Sequence, residues 1–260
     1  MAPARRRLLL LLVALVVAVA VVVTVLVLTR SDDSAPVAED RPGPVLLVPG
    51  YGGSTESLQN LAVKLRASGR EAEVVALPGE GTGDLTEQAR VLDAAARAAL
   101  QRTGAESVDV VGYSAGGVVA RVWLSDLGGA DVTRRLVTLG SPHHGTNLAA
   151  LAGGLLPSLC PTACQQLDPD SDLLRRLNAS APAGPSVVSV WTTADRVVTP
   201  PSSAELDGAL NLTVQSVCSD SAVAHDALPT DPVSSGIVLL QLDPGPPRTL
   251  GATDCAALRG

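Results

Sequence analysis

From Pro44 onward, short apolar runs alternate with amphipathic helical patterns, and this alternation limits the possible folds more than any other feature of the chain. The apolar runs are typical of strands: VLLVPG, EVVAL, SVDVVGYS, RLVTLG, SVVSVWTTAD and LTVQSVC. Helical spacing of leucine, valine and alanine predicts helices over about 54–68, about 84–102, the stretch from Ser114 to Gly128 and Gly129, and about 233–242. Strands that alternate with helices predict an α/β fold with a mostly parallel, doubly wound sheet.

The N-terminus has the pattern of a membrane anchor. Three arginines at 5–7 precede an apolar run over 8–28 that only Thr24 interrupts. As a helix, this run would span roughly 31 Å, which is enough to cross a bilayer core. It is longer than the apolar region of a typical signal peptide, and no clear cleavage site follows it. We expect residues 1–29 to be an uncleaved signal anchor with an extracytoplasmic domain behind it; a cleaved signal peptide, giving a secreted protein, is the alternative.

Composition divides the remaining chain. Residues 30–43 are charged and contain proline without apolar periodicity, which predicts an exposed linker before a catalytic domain over 44–260. Within that domain, glycine, proline and two close cysteines interrupt the pattern over 146–184. This stretch is either a small cap or lid inserted over the sheet or a long surface connection.

The four cysteines fit an exported protein, in which disulfides form. Three pairings are possible on paper. We expect Cys160 to pair with Cys164 as a local staple, and Cys218 to pair with Cys255, which would tie the C-terminal tail to the domain. Free thiols or a metal site are the alternatives, although four cysteines without a second close pair fit a zinc site poorly.

Charge and motifs argue against several partner classes. The net charge of -7 and the single lysine, Lys64, leave no basic surface of the kind that binds nucleic acid. PGEGTGD has Asp84 where a dinucleotide-binding loop needs its third glycine, so we expect no cofactor. Either one of His143 and His144 binds a metal ion, or both pack within their loop. The sequence offers no obvious set of further metal ligands, which favours packing. No motif indicates an oligomeric state.

The stretch VGYSAGG, residues 111–117, sets Ser114 between a predicted strand and a predicted helix. Such a turn is either a structural connection or a nucleophile elbow of the G-x-S-x-G type. Gly112 and Gly116 favour the elbow, because small residues allow the backbone to pass close to a strained serine.

A serine hydroxyl needs a base, and histidine titrates in the useful range. His225 follows the last predicted strand, and Asp195 follows the strand before it, where its carboxylate would orient the imidazole. The chain order Ser114, Asp195, His225 is that of the α/β-hydrolase triad. Asp226 and Asp220 are the fallback acids, but both lie too close to His225 in sequence to follow the preceding strand.

An oxyanion formed at Ser114 would need two backbone N–H donors. One is expected from Ala115, the residue after the nucleophile, and the second from Tyr51 in the loop PGYGGS after the first strand. An ordinary glycine turn that leads into a helix is the alternative for this loop.

With these motifs, the chain resembles the bacterial class 2 lipase and esterase family of the α/β-hydrolases from about residue 44 to 242. LLVPGYGGS, VDVVGYSAGGVVAR, VTLGSPHHGT, DRVVTP and the His225 loop match. The resemblance implies hydrolysis of carboxylic esters through Ser114, His225 and Asp195. Pro49 departs from the family pattern, in which this position is usually His. The expected oxyanion donor is the Tyr51 N–H, so activity does not depend on the side chain at position 49. 

The predicted protein is therefore a lipase or carboxylesterase that takes an ester or lipid as its substrate. An acyltransferase or thioesterase acting on envelope lipids, and a catalytically silent hydrolase-fold binding module, are the alternatives. The absence of Phe and the few Trp and Tyr residues favour short or medium esters over strong binding at a lipid interface.

Overall fold

The computed structural model describes residues 15–17, 37–155, 160–180 and 184–259. The chain divides into two units, Met1–Ala35 and Pro36–Gly260, and the description below concerns the second. The predicted anchor over 1–29 lies outside the described residues apart from 15–17. Within the described ranges, no helix has the length and hydrophobicity needed to cross a membrane.

In the described part of the chain, six parallel strands form one sheet in the order β2-β1-β3-β4-β5-β6, so the predicted parallel sheet is confirmed. The strands are β1 Val45–Val48, β2 Ala72–Val74, β3 Val108–Tyr113, β4 Thr133–Leu139, β5 Ser186–Trp191 and β6 Leu210–Thr213. The chain runs outward from β1 to β2 in one direction and crosses to β3 in the other. At such a switch point the loops after β1 and β3 lie side by side, and this is where α/β proteins bind ligands.

Helices cover both faces of the sheet. They are α1 Glu56–Ala67, α2 Leu85–Thr103, α3 Ala115–Asp126, α4 Asn147–Leu155, α5 Thr162–Gln166, α6 Asp172–Leu177, α7 Val214–Val217, α8 Pro232–Gln241 and α9 Cys255–Arg259. One core contains residues of α2 to α6, and the other contains residues of α1, α7 and α8. Along β1, Leu46 and Val48 face the first core while Val45 and Leu47 face the second, because successive strand residues point to opposite faces.

Several predicted strands end earlier than expected, and SVVSVWTTAD, a strand only as far as Trp191, is one of them. LTVQSVC is a strand only as far as Thr213, because the Thr213 hydroxyl accepts the Ser216 N–H at 2.9 Å and caps the short helix α7. EVVAL is a strand only as far as Val74, after which Val75 makes one further backbone bond to Leu47 before the chain leaves the sheet. The prediction of strands from apolar β-branched runs therefore gave too great a length where a capping hydroxyl or a turn ended the strand.

The folded unit includes residues of the stretch that composition assigns to a linker. The Glu39 carboxylate accepts bonds from Arg135 and from the Ser186 hydroxyl, and the Gly43 carbonyl accepts from Arg70 at 2.7 Å. These contacts lie at the amino ends of the strands, where buried Asp109 also binds Arg134 and Arg70. Residues 39–43 are thus attached to the sheet at the edge opposite to the predicted site.

Two disulfides join Cys160 to Cys164 and Cys218 to Cys255, as expected. The first closes a loop of sequence separation 4 beside α5, and the second attaches α9 to the end of α7. Disulfides persist in oxidising compartments, so they indicate an extracytoplasmic or secreted protein.

Candidate active site

Ser114 lies on a sharp turn between β3 and α3 with φ 51° and ψ -125°, a backbone conformation that is strained for any residue other than glycine. Its own N–H donates to the Leu139 carbonyl at 2.8 Å, which attaches the turn to β4. Glycine is required on both sides. A Cβ on Gly116 would lie 2.2 Å from the Val48 oxygen, and one on Gly112 would lie 2.5 Å from the Gly117 Cα. The sequence therefore forms an elbow that holds Ser114 at the carboxyl edge of the sheet.

Ser114, His225 and Asp195 form a continuous chain of hydrogen bonds. Ser114 Oγ lies 3.0 Å from His225 Nε2, and His225 Nδ1 lies 2.7 Å from Asp195 Oδ2. The other carboxylate oxygen, Oδ1, accepts the N–H groups of Val197 and Val198, each at 2.8 Å. The exposed fractions of the His225 and Asp195 side chains are only 7% and 1%, so water has little access to this chain. The arrangement suits proton transfer from the hydroxyl to the imidazole.

Loops rather than regular elements hold the acid and the base. Asp195 lies four residues beyond the end of β5, and His225 begins a short 3₁₀ turn, His225–Ala227. Thr192 connects the two loops, because its hydroxyl donates to the Val223 carbonyl at 2.8 Å. The sequence prediction placed these residues behind the correct strands, but it did not include this connection.

The two fallback acids lie elsewhere. Asp226 is exposed, and Asp220 pairs with Arg259, which is also exposed. The hydrogen bond from Arg259 lowers the pKa of the Asp220 carboxyl. Neither makes the contact to the imidazole that Asp195 makes.

The loop after β1 lies against the elbow. A Cβ on Gly50 would be 2.9 Å from the Ser114 Cβ, so the loop that holds Tyr51 passes next to the nucleophile. Ala115 is the first residue of α3, and the first N–H groups of a helix have no partner within it. Both backbone segments predicted to bind an oxyanion thus border Ser114.

An apolar cleft of about 250 Å³ opens at Ser114. Tyr51 and Val197 line it beside the elbow, and α4 and α5 with the residues that follow contribute Leu148, Ala149, Ala152, Cys164 and Leu167. Tyr51, Leu148 and Val197 are also among the exposed large apolar side chains, so the entrance of the cleft is apolar as well. This cleft would accept a hydrocarbon group next to the serine.

His143 and His144 follow β4 but differ in environment. His143 is fully buried, with Nε2 3.0 Å from the Thr138 hydroxyl and, among the residues that the structure describes, no partner for Nδ1, whereas His144 is exposed. Burial, reinforced by the positive charge of Arg121, holds the pKa of His143 well below its ordinary value, so the ring is neutral. Among the described residues, no group of three metal-ligating side chains is close enough to hold an ion.

Sequence reasoning missed Tyr113. Its hydroxyl donates to the His225 carbonyl at 3.2 Å, and its ring centroid lies 5.3 Å from that of the imidazole. The position directly before the nucleophile was the available signal, but the two residues are 112 positions apart and no local pattern predicts their contact.

Comparison with known proteins gives one family and a consistent fold. The family model for Lipase (class 2) matches residues 43–235. Aspergillus fumigatus lipase B superposes with a TM-score of 0.66 at 19% identity, over 84% of this chain and 61% of the fungal one. Bacillus licheniformis lipase BlEst2 in its mature form superposes with a TM-score of 0.57 at 22% identity, over 66% of this chain and 82% of the other. The chain thus spans less than two thirds of the fungal protein, and at these identities the superpositions establish the α/β-hydrolase fold.

Proposed function

The chain belongs to the class 2 lipase family, and from this premise we propose that it hydrolyses carboxylic esters with Ser114 as the nucleophile. The observation that supports this most directly is the unbroken chain from Asp195 through His225 to Ser114, which ends at an apolar cleft.

In the first half of the reaction, Ser114 Oγ attacks the ester carbonyl carbon while its proton passes to His225 Nε2. The carbonyl oxygen becomes an oxyanion, which accepts hydrogen bonds from the Tyr51 and Ala115 N–H groups. His225 then gives the proton to the alcohol oxygen, the C–O bond breaks, the alcohol leaves, and the acyl group stays on Ser114. Asp195 holds Nδ1–H and stabilises the imidazolium.

In the second half, water replaces the alcohol. His225 takes a proton from the water as its oxygen attacks the acyl carbon, and the same two N–H groups hold the second oxyanion. The proton returns to Ser114 Oγ, the acyl–oxygen bond to the serine breaks, and the carboxylic acid leaves. The balance requires only ester and water, with no cofactor.

The cleft indicates which acyl groups fit. Its volume of about 250 Å³ is below the roughly 300–1,000 Å³ typical of sites for drug-sized ligands. We therefore propose short or medium acyl chains, in agreement with the scarcity of aromatic residues. Residues 146–184 act as a cap in this proposal, since Leu148, Ala149 and Leu167 line the cleft together with Ser114.

We further propose that the apolar run over 8–28 anchors the enzyme outside the cytoplasm, with its cleavage and secretion as the alternative. Carbonate extraction of membranes together with N-terminal sequencing of the full-length product distinguishes the two. An intact N-terminus in the washed membrane supports the anchor, and a soluble product that begins after residue 28 contradicts it.

Hydrolysis of p-nitrophenyl esters of increasing acyl length by the full-length chain tests the proposed activity. Ser114→Ala should lower kcat by at least about 10³-fold without unfolding the domain. Ser125→Ala is the matched control, because Ser125 is an exposed serine on α3, the helix that follows Ser114. If Ser114→Ala keeps its activity, the nucleophile lies elsewhere.

If the folded wild-type chain hydrolyses no ester at any acyl length, a binding module or a specialised acyltransferase is the better interpretation. Product analysis with added alcohol acceptors then separates these two, since only an acyltransferase would form new esters.

A further inference from the structure

Tyr113 contacts the base, His225, at two points that the reaction described above does not use. Its hydroxyl donates to the His225 carbonyl oxygen at 3.2 Å. Its ring lies 5.3 Å from the imidazole, centroid to centroid, at an interplanar angle of 36°. Because Tyr113 directly precedes Ser114, the end of β3 supplies both the nucleophile and an aromatic neighbour of the base.

We propose that Tyr113 is a positioning residue whose ring stabilises the imidazolium form of His225 during ester hydrolysis. The proposal rests on the proposed function, in which that imidazolium forms when Ser114 loses its proton. A cation within about 6 Å of an aromatic centroid is attracted to the negative face of the ring. The attraction acts only once the positive charge exists, so it favours the transition state over the bound ester.

The surroundings of His225 favour this contact. The exposed fraction of its side chain is 7%, so little solvent screens the attraction. Among the charged groups, Asp195 is bonded to its Nδ1, and Asp226 follows His225 in the sequence with an exposed side chain. Gly140, which follows β4, approaches the imidazole, since a Cβ there would lie 3.1 Å from Nδ1, and glycine adds no charge.

The phenol itself stays neutral. Burial, followed by the negative charges of Asp226 and Asp195, raises the pKa of Tyr113 above its ordinary value. The hydroxyl therefore remains a donor to the His225 carbonyl over the working pH range, and the ring keeps the charge distribution that attracts a cation. The two contacts fix the backbone and the face of the imidazole at the same time.

Two substitutions separate the ring from the hydroxyl. Tyr113→Leu removes both contacts, and Tyr113→Phe removes only the hydroxyl. We expect Tyr113→Leu to lower kcat by about 5- to 30-fold with KM nearly unchanged, which is the range for a desolvated cation–aromatic pair. In the pH profile of kcat/KM, the acid limb of this variant should move about 0.7–1.5 pH units lower, because the imidazolium of His225 in the free enzyme loses the same contact. Tyr113→Phe should keep the wild-type limb.

Phenylalanines with increasing ring fluorination at position 113 provide a second measurement that barely changes the side-chain volume. Fluorine withdraws charge from the ring face, so kcat and the midpoint of the acid limb should fall steadily along the series, relative to Tyr113→Phe. Urea unfolding of each variant separates a loss of stability from a loss of rate.

The proposal is overturned if folded Tyr113→Leu matches the wild type in kcat and acid limb, or if the fluorinated series is flat. It is also overturned if Tyr113→Phe is as impaired as Tyr113→Leu, since the hydroxyl alone would then matter. Failure of the proposed function looks different, because the wild-type chain itself would show no Ser114-dependent turnover.

Discussion

Replacing Asp195 with asparagine tests the proton path through the site with the smallest possible change of shape. Oδ1 accepts two backbone N–H groups, from Val197 and Val198, and the amide oxygen of asparagine can keep both bonds. Its NH₂ group then faces His225 Nδ1 across the 2.7 Å that the carboxylate oxygen now spans. Two N–H donors cannot face each other, so Nδ1 must become an acceptor and Nε2 must carry the proton. In that tautomer the imidazole cannot accept the Ser114 proton.

The expected loss follows from that tautomer. The same exchange in another serine hydrolase triad lowers kcat about 10⁴-fold, or about 5 kcal/mol of barrier. We expect a loss of this order for Asp195→Asn in kcat on p-nitrophenyl butyrate, with the urea midpoint little changed because the loop keeps its backbone bonds. Asp226→Asn, an exposed acid beside the base, should remain near wild type. If Asp195→Asn retains a tenth or more of the wild-type kcat, or if Asp226→Asn shows the greater loss, the assignment of the acid is wrong.

Two further predictions concern the oxyanion loop and the buried histidine. Gly53→Ala should lower kcat by up to about 100-fold, because a Cβ there would lie 2.8 Å from the Glu80 backbone and φ is +64°. Gly52→Ala is the matched control, since φ there is +88° but a Cβ would have nothing within 4 Å. Equal kcat losses in the two variants would contradict a role of the loop in holding the oxyanion. His143 stays neutral in the folded protein. In the unfolded chain its imidazole binds a proton below a pKa of about 6.5, so the free energy of unfolding should fall by ~1.4 kcal/mol between pH 7.5 and pH 5.5. In urea titrations His143→Gln should lose this part of the pH dependence while His144→Gln keeps it; identical slopes would show that His143 does not cause it.

The sheet and the elbow were predictable because both depend on local patterns. Alternating apolar runs and helical spacing are properties of short windows, and they predicted a parallel sheet with helices on two faces. The elbow was equally local, since Gly112 and Gly116 flank the serine at the positions where a Cβ would strike the backbone. Strand ends were less predictable: at Thr213 a single hydroxyl bond ended the strand within an apolar run.

Contacts between distant residues could not be predicted from local patterns. Glu39 looked like part of a charged linker, yet it binds Arg135, which lies 96 positions away and is buried. Tyr113 looked like a strand residue with no further role. Its contact with His225 depends on where the loop that follows β6 lies relative to the end of β3. A charged or aromatic residue has many possible partners, and only the assembled sheet selects one.

The position of the base depends on a few anchoring contacts instead of a regular element, and this has a consequence for how the site fails. Gln215 donates to the Ser221 carbonyl at 3.0 Å, and Thr192 donates to the Val223 carbonyl at 2.8 Å. Each contact orders the short stretch between Cys218 and the 3₁₀ turn, but the two hydrophobic cores lie largely in the sheet and helices. Loss of one anchor should therefore release the loop locally, at little cost to global unfolding. A displacement of about 1 Å at a catalytic group is enough to reduce its rate about 100-fold. Activity in this protein should accordingly be lost under milder perturbation than the fold.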